Sequence, residues 1–174
     1  MNLVTLAYPE LSKSDFEKIQ QFRKLNDRYY PVVAPHFTLA FPFSEWDLES
    51  YTAEIKQQAQ SFQPFDFCIR CAMLSKDAFQ DLYHVFLVPD EGYSRLLKLH
   101  YQLGSHRLFP YRLLEIDFTP HLGVGNSEDP HQCVAWVDHW NRAEFSIAGK
   151  ISRLVIANYE NDTVETIEQI HLGD

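Results

Sequence analysis

Cysteine is scarce: Cys68, Cys71 and Cys133 are the only three in 174 residues. Three thiols cannot all pair within one chain, so a disulfide-stapled scaffold is not indicated and reduced thiols are expected. Cys68 and Cys71 have C-x-x-C spacing, but on a strand they face opposite sides, and no second pair completes a zinc site. Long apolar runs are also lacking, and none approaches the roughly 20 residues that cross a bilayer. Met1 to Leu11 carries no early Lys or Arg and is interrupted by Pro9, so it reads as a strand and not as a signal peptide. A soluble, cytoplasmic protein is expected, and without a secretory signal the sequon Asn161-Asp162-Thr163 means little. Positive charge is in deficit, with 15 Lys and Arg against 24 Asp and Glu for a net charge of −9. Such a field repels polyanions and anionic membranes, which argues against a coat for long nucleic acid and against a membrane-surface protein. A single nucleotide or RNA end needs only a local positive patch.

What is present is a core-forming composition, 45% hydrophobic and 14% aromatic, which rules out disorder. Leu3 to Tyr8 predicts a strand. Ser12 and Ser14 then stand as caps before Phe16, Ile19, Phe22 and Leu25, an apolar stripe of helical spacing that ends near Asn26. Pro35 to Phe41 predicts a second strand, and Ser44 is read as the cap of a helix carrying Leu48, Tyr51, Ile55, Ala59 and Phe62, with Glu49, Glu54, Lys56 and Gln57 on other faces. Phe65 to Leu74 and Leu82 to Val88 form a hairpin-like pair around the polar Ser75 to Asp81. The second half begins with a helix showing Tyr93, Leu96, Leu97, His100 and Leu103. A strand around Asp117 to Val124, a helix from Pro130 to Arg142, and strands Ser146 to Tyr159 and Val164 to Leu172 follow.

Element order repeats between the halves, which suggests an internal duplication. Strand pairs joined by short turns favour antiparallel sheet. The expected class is α+β, with two pseudo-symmetric lobes of antiparallel sheet flanked by helices around a central cleft. With no Gly- or Ser-rich linker between the lobes, residues 1–174 read as one bilobal domain.

Two segments correspond if the halves do: Pro35-His36-Phe37-Thr38-Leu39 and Pro120-His121-Leu122-Gly123-Val124, with the histidines 85 residues apart. Strand alternation puts His36 and Thr38 on one face and Phe37 and Leu39 on the other, and likewise His121 and Gly123 opposite Leu122 and Val124. The apolar members are assigned to the core and the histidines to the cleft. A lone strand histidine is more often structural, but two Pro-His strands at equivalent places point to one shared phosphate-binding cleft.

Paired His-hydrophobic-Thr/Ser-hydrophobic motifs, one per lobe, are the signature of the 2H phosphoesterase superfamily, and this chain resembles its 2′-5′ RNA ligase-like, cyclic phosphodiesterase branch. His36-Phe37-Thr38-Leu39 matches the motif in full. The wider run Ala34-Pro35-His36-Phe37-Thr38-Leu39-Ala40-Phe41-Pro42-Phe43 looks like the first motif of that branch, and Phe118-Thr119-Pro120-His121 like the lead-in to the second. The resemblance implies a metal-independent phosphoesterase with no cofactor, whose partner is a nucleotide or RNA end carrying a phosphodiester. It opens a 2′,3′-cyclic phosphate, or makes and breaks a 2′-5′ linkage. His36 and His121 would be the catalytic acid and base, which imidazole suits by titrating near neutrality. Thr38 would bind the substrate by donating a hydrogen bond to a non-bridging oxygen. Gly123 departs from the pattern, standing where Thr or Ser is usual, and a backbone N–H or a water would have to fill that substrate-binding role. The alternative is a catalytically degenerate domain that binds a nucleotide or RNA end without turnover.

His84 could face the cleft or lie beneath a helix, and the balance favours the core. His100 is expected to be partly buried and hydrogen-bonded, His131 and His139 solvated, and His106 and His171 without identifiable partners. A metal-dependent hydrolase built from the spare histidines ranks last, because no ligand spacing recommends it. Arg70, Arg107 and Arg112 are the candidates for a local anion patch. Tyr29-Tyr30 and Phe41-Pro42-Phe43 offer faces on which a base could stack, although packing between lobes is the commoner use of such rings.

Overall fold

The computed structural model describes every residue up to Gly173; Asp174, the last residue of the predicted domain, lies outside the described residues. In chain order the elements are β1 (Leu3–Ala7), β2 (Glu10–Leu11), α1 (Lys13–Asn26), β3 (Phe37–Phe43), α2 (Leu48–Ala59), β4 (Phe65–Lys76), β5 (Tyr83–Glu91), α3 (Tyr93–Leu103), β6 (Leu122–Ser127), α4 (Pro130–Arg142), β7 (Ile147–Ile151), β8 (Arg153–Glu160) and β9 (Thr163–His171), with a short 3-10 helix at His106–Tyr111 before β6. The strands pair antiparallel in two sheets, ordered β3-β1-β8-β9 and β2-β7-β4-β5-β6. This is the expected α+β class.

The sheets are not the successive halves of the chain. The equivalent units are β1-α1-β3 and β5-α3-β6, and each leaves the strand that follows its histidine at the edge of a sheet. The next long strands cross over: β4, after α2, pairs with β5, while β8 returns to pair with β1. The helices cross as well. α1 leaves the first sheet and packs on β6 of the second, where Phe22 meets Trp136 and Trp140 of α4 at 6.3 and 5.3 Å. α3 leaves the second sheet and packs on β3 of the first and on α2.

Several elements differ from the sequence expectations for local reasons. The segment Ser146 to Tyr159, predicted as one strand, breaks at Ser152, with β7 pairing to β4 and β8 to β1 in different sheets. Buried Ile151, Leu154 and Ile156 run through the break, so periodicity does not register it. The strand predicted from Asp117 starts only at Leu122. On α1 the buried positions are Ile19 and Arg23, while Leu25, placed in the predicted stripe, is 82% exposed. The cap of α2 is Asp47, whose carboxylate accepts the Ser50 N–H at 2.8 Å, and not Ser44. Glu54 turns inward and accepts from Gln58 Nε2 at 2.9 Å. On α3 it is Leu99, one turn before Leu103, that is buried with Leu96, and not Leu97.

The main core joins both sheets. Phe37 of β3 and Phe67 of β4 meet edge to face at 5.2 Å, one ring from each sheet, and both are buried. On the other side of the first sheet, Val4, Leu6, Val155 and Ala157 form a second, smaller apolar cluster. No helix among the described residues is long and apolar enough to cross a membrane.

Phe37 therefore both holds the sheets together and anchors the strand that follows His36. Phe37→Ala is expected to lower the free energy of unfolding by about 3–5 kcal/mol, read from urea denaturation; a loss below ~1 kcal/mol would mean that the contact between the sheets is not a main support.

Candidate active site

Alternation along the two edge strands decides what enters the space between the sheets. Phe37, Leu39, Leu122 and Val124 are fully buried in the core. Their neighbours His36, Thr38, His121 and Gly123 all line one cleft of about 570 Å³, a volume typical of small-molecule sites. Val4 and Leu6 contribute an apolar wall, and Phe86 stacks on the His121 ring at 3.4 Å.

The two imidazoles are held in the same way. His36 Nδ1 lies 2.8 Å from the Ala34 carbonyl oxygen and His121 Nδ1 lies 2.6 Å from that of Thr119, in both cases two residues back along the chain. A carbonyl oxygen only accepts, so each Nδ1 carries the hydrogen and each neutral ring keeps its lone pair on Nε2. Burial is the largest influence on both. It pushes His36 below the ordinary histidine value, with Arg23 adding to the effect and the bond to Ala34 and the Asp27 charge opposing it. It pushes His121 down to about 4, against the bond to Thr119 and with repulsion from His36 and His84. At neutral pH both histidines of the cleft are therefore uncharged imidazoles.

A buried ion pair, Arg23 with Asp27, stands behind His36. Arg23 Nε donates to Asp27 Oδ2 at 2.7 Å, and both side chains are almost wholly inaccessible. Arg23 also donates to the carbonyls of Tyr29 and Val33 in the loop leading to His36. Asp27 Oδ1 accepts from Asn126 Nδ2 of β6 at 2.7 Å. This chain of bonds ties the approach to one histidine strand to the body of the other. Neither Arg23 nor Asn126 was marked by the sequence reading. An arginine four residues before an aspartate, at the helical position facing Ile19, was the available signal, but it passes for an ordinary surface pair.

His84, assigned to the core, lines the cleft instead. Its Nε2 lies 2.8 Å from Asp77 Oδ2. Burial pushes the Asp77 carboxyl up, but bonds from His84 and from the N–H groups of Phe79 and Gln80 outweigh it and hold the group below its usual range. The ionised carboxylate accepts, so His84 Nε2 donates. Asp77 belongs to the β4–β5 turn, a partner seven residues away that strand alternation does not supply.

The three arginines proposed as an anion patch lie outside the cleft. Arg70 pairs with Asp90 and Glu91, Arg107 lies over the Trp46 ring, and Arg112 lies over Tyr101. Lys76 and Arg23 are the Lys and Arg side chains that line the cleft among the described residues. Tyr29, Phe41 and Pro42 line it too, while Phe43 packs on Trp46, Tyr51 and Tyr111. His100 is half-buried and bonded to the Leu39 carbonyl, and His131, His139, His106 and His171 are exposed. Among the described residues, no three His, Cys, Asp or Glu side chains gather as a metal site would require.

Comparison with known proteins places the fold. The model of the 2′-5′ RNA ligase superfamily matches residues 7–163. The chain belongs to that superfamily. A curated relative of the family member described here, from Bacillus mycoides (strain KBAB4) and bearing the name "Putative phosphoesterase", is 27% identical over 99% of this chain and 98% of its own. The fold of this superfamily member is shared by TT0787 of Thermus thermophilus, with a TM-score of 0.65 and 14% identity over 99% of this chain and 98% of that one. It is shared also by Escherichia coli LigT in complex with NADP+, with a TM-score of 0.62 and 16% identity over the same shares. LigT has further been solved with 3′-AMP and with ATP. Usb1 of Kluyveromyces marxianus follows at 0.59 and 12% identity, covering 98% of each chain.

The depressed His121 gives this superfamily member a pH signature. Between the usual histidine value of 6.5 and the folded value of about 4, the unfolded chain holds a proton that the folded chain refuses, so this residue makes stability fall as pH falls through that window. Urea midpoints of wild type should drop from pH 6.5 to 4, and His121→Gln should flatten the slope; an unchanged slope would contradict the burial of a neutral ring.

Proposed function

We propose that the protein is a phosphoesterase in which His36 and His121 act as general base and general acid on a 2′,3′-cyclic phosphate or a 2′-5′ phosphodiester of a nucleotide or RNA end. The observation that carries this reading is the matched pair of imidazoles, each with Nδ1 tied to the carbonyl two residues back, in a single cleft. The nucleotide complexes of LigT, a protein of the same fold, support the substrate class.

The chemistry follows from the surroundings. Both rings are uncharged at neutral pH. A phosphodiester brings one negative charge between them, and an anion favours the protonated form of a nearby imidazole. One ring takes up a proton and becomes the acid, while the other keeps the Nε2 lone pair of a base. For a cyclic phosphate, the base removes a proton from the attacking water as its oxygen bonds to phosphorus. The acid gives its proton to the ribose oxygen as the P–O bond breaks, and in this reading no metal is needed. Arg23 is engaged by Asp27 and by carbonyls, so charge on the non-bridging oxygens falls to the Thr38 hydroxyl, to the imidazolium and to Lys76, the other cation lining the cleft among the described residues.

Gly123 favours a second reading, binding without turnover, since this strand brings no hydroxyl opposite Thr38. A side chain there would meet no heavy atom within 4 Å at its Cβ, so the space for one is open.

Hydrolysis of 2′,3′-cyclic nucleotides and 2′-5′-linked dinucleotides in excess EDTA tests the proposal. His36→Ala and His121→Ala should each lower kcat by about 10²–10⁴-fold. Thr38→Val should lower it by about 10²-fold, and Gly123→Thr should raise it. Turnover that survives either histidine variant would refute the acid–base pair, and saturable binding without product would favour the second reading.

A further inference from the structure

The ring against which His121 lies, Phe86 at 3.4 Å and 12°, is itself backed by a neighbour on β5. The register of β5 with β6 sets His84 opposite Asn126, Phe86 opposite Gly123 and Leu87 opposite Leu122. His84 and Phe86 share the face of β5 that lines the cleft, and Phe86 stands between the level of His84 and that of His121. The His84 and Phe86 rings lie 5.6 Å apart at 23°. Three nearly parallel rings therefore run in file: His84, Phe86, His121.

The far end of this file is fixed to the β4–β5 turn. Asp77 Oδ2 accepts from His84 Nε2 at 2.8 Å, while Asp77 Oδ1 accepts the N–H groups of Phe79 at 2.7 Å and Gln80 at 2.8 Å. The turn holds the carboxylate, and the carboxylate holds the imidazole. Both side chains are largely shielded from solvent.

The near end needs this support. His121 is tied by one bond, from Nδ1 to the Thr119 carbonyl, and a ring bonded at one edge can still swing about that edge, carrying Nε2 with it. The next residue on this face is Gly123, which has no side chain to stop the swing, and no heavy atom lies within 4 Å of where its Cβ would be. The other histidine is placed differently. His36 has Thr38 as its neighbour on that face, and Tyr8 meets its ring edge-on at 6.1 Å and 63°. The stacked support belongs to the lobe that lacks the hydroxyl.

We propose that His84 is a positioning residue: tied to Asp77, it keeps Phe86 flat against His121 and so holds His121 Nε2 in line for proton transfer. The inference rests on the phosphoesterase reading above, in which His121 is one member of the acid–base pair. Misplacement of a reacting group by about 1 Å can cost about 10²-fold in rate.

The test uses His84→Ala, His84→Leu and His84→Phe, each checked for folding by thermal melting; Leu fills the space without a ring should Ala not fold, and Phe restores a flat ring. Two measurements are made on each, proton NMR of the histidine rings in the ligand-free protein and the kcat and KM for a 2′,3′-cyclic nucleotide. The face of Phe86 shields the His121 ring protons, so His84→Ala and His84→Leu should move those signals downfield and leave those of His36 in place. The same variants should lower kcat by about ten- to a hundredfold with KM nearly unchanged, and His84→Phe should recover most of both effects. Unmoved His121 signals or an unchanged kcat in His84→Leu, or a His84→Phe as defective as His84→Leu, would overturn the positioning role and leave the acid–base pair standing. If wild type turns over no substrate, the phosphoesterase reading fails, and the NMR decides separately. Displaced His121 signals in His84→Leu that return in His84→Phe support the ring file, and unmoved signals overturn it.

Discussion

Each helix that leaves one sheet docks on the histidine strand of the other, and this exchange is the constraint on which the cleft depends. An edge strand on its own presents unpaired N–H and C=O groups and is free to shift or fray. Here β3 is backed by α3, with His100 bonded to the Leu39 carbonyl, and β6 is backed by α1, with Asp27 bonded to Asn126. Moving either sheet would pull apart the contacts of both helices. The two imidazoles therefore precede strands that are each braced by the opposite unit of the chain.

The cleft so formed is poor in cations: among the described residues Arg23 and Lys76 line it, against Asp27, Asp77, Glu115 and Asp117. Apolar Val4 and Leu6, the Phe86 ring and the fully engaged Arg23 surround the histidines, and desolvation dominates their protonation. A site of this kind does not store positive charge before its ligand comes. In the proposed reaction it acquires charge with the ligand, which is consistent with a protein whose net charge of −9 repels polyanions at long range.

Sequence reasoning reached what depends on local pattern. The alternation at Phe37, Thr38 and Leu39 and at Leu122, Gly123 and Val124 was readable because one face of each strand is fully buried, which leaves period two in the sequence. The hairpin of β4 and β5 was readable from the polar run between two β-rich segments. What depends on partners distant in sequence was not. Arg23 looks like a surface residue until Asp27, Val33 and Asn126 close around it. His84 needs Asp77 across the turn, and the break at Ser152 is set by which sheet each half of the segment joins. Leu25 fell outside the buried stripe because α1 turns the Ile19 and Arg23 side of the helix toward β6, the strand of the other unit. Of the four cleft residues inferred from the motif, all line the same cavity, while the three arginines expected to serve it do not.

The central claim is that two neutral, like-oriented imidazoles become an acid and a base only when a phosphate ester arrives. Nitrogen-15 NMR of the histidine rings at pH 7, without and with a nucleoside 3′-monophosphate, tests this most directly. The account predicts Nδ1–H, Nε2-bare signals for both His36 and His121 in the free protein, and one of the two turning imidazolium on binding. A charged ring in the free protein, or two rings unchanged when the nucleotide is bound, would contradict it.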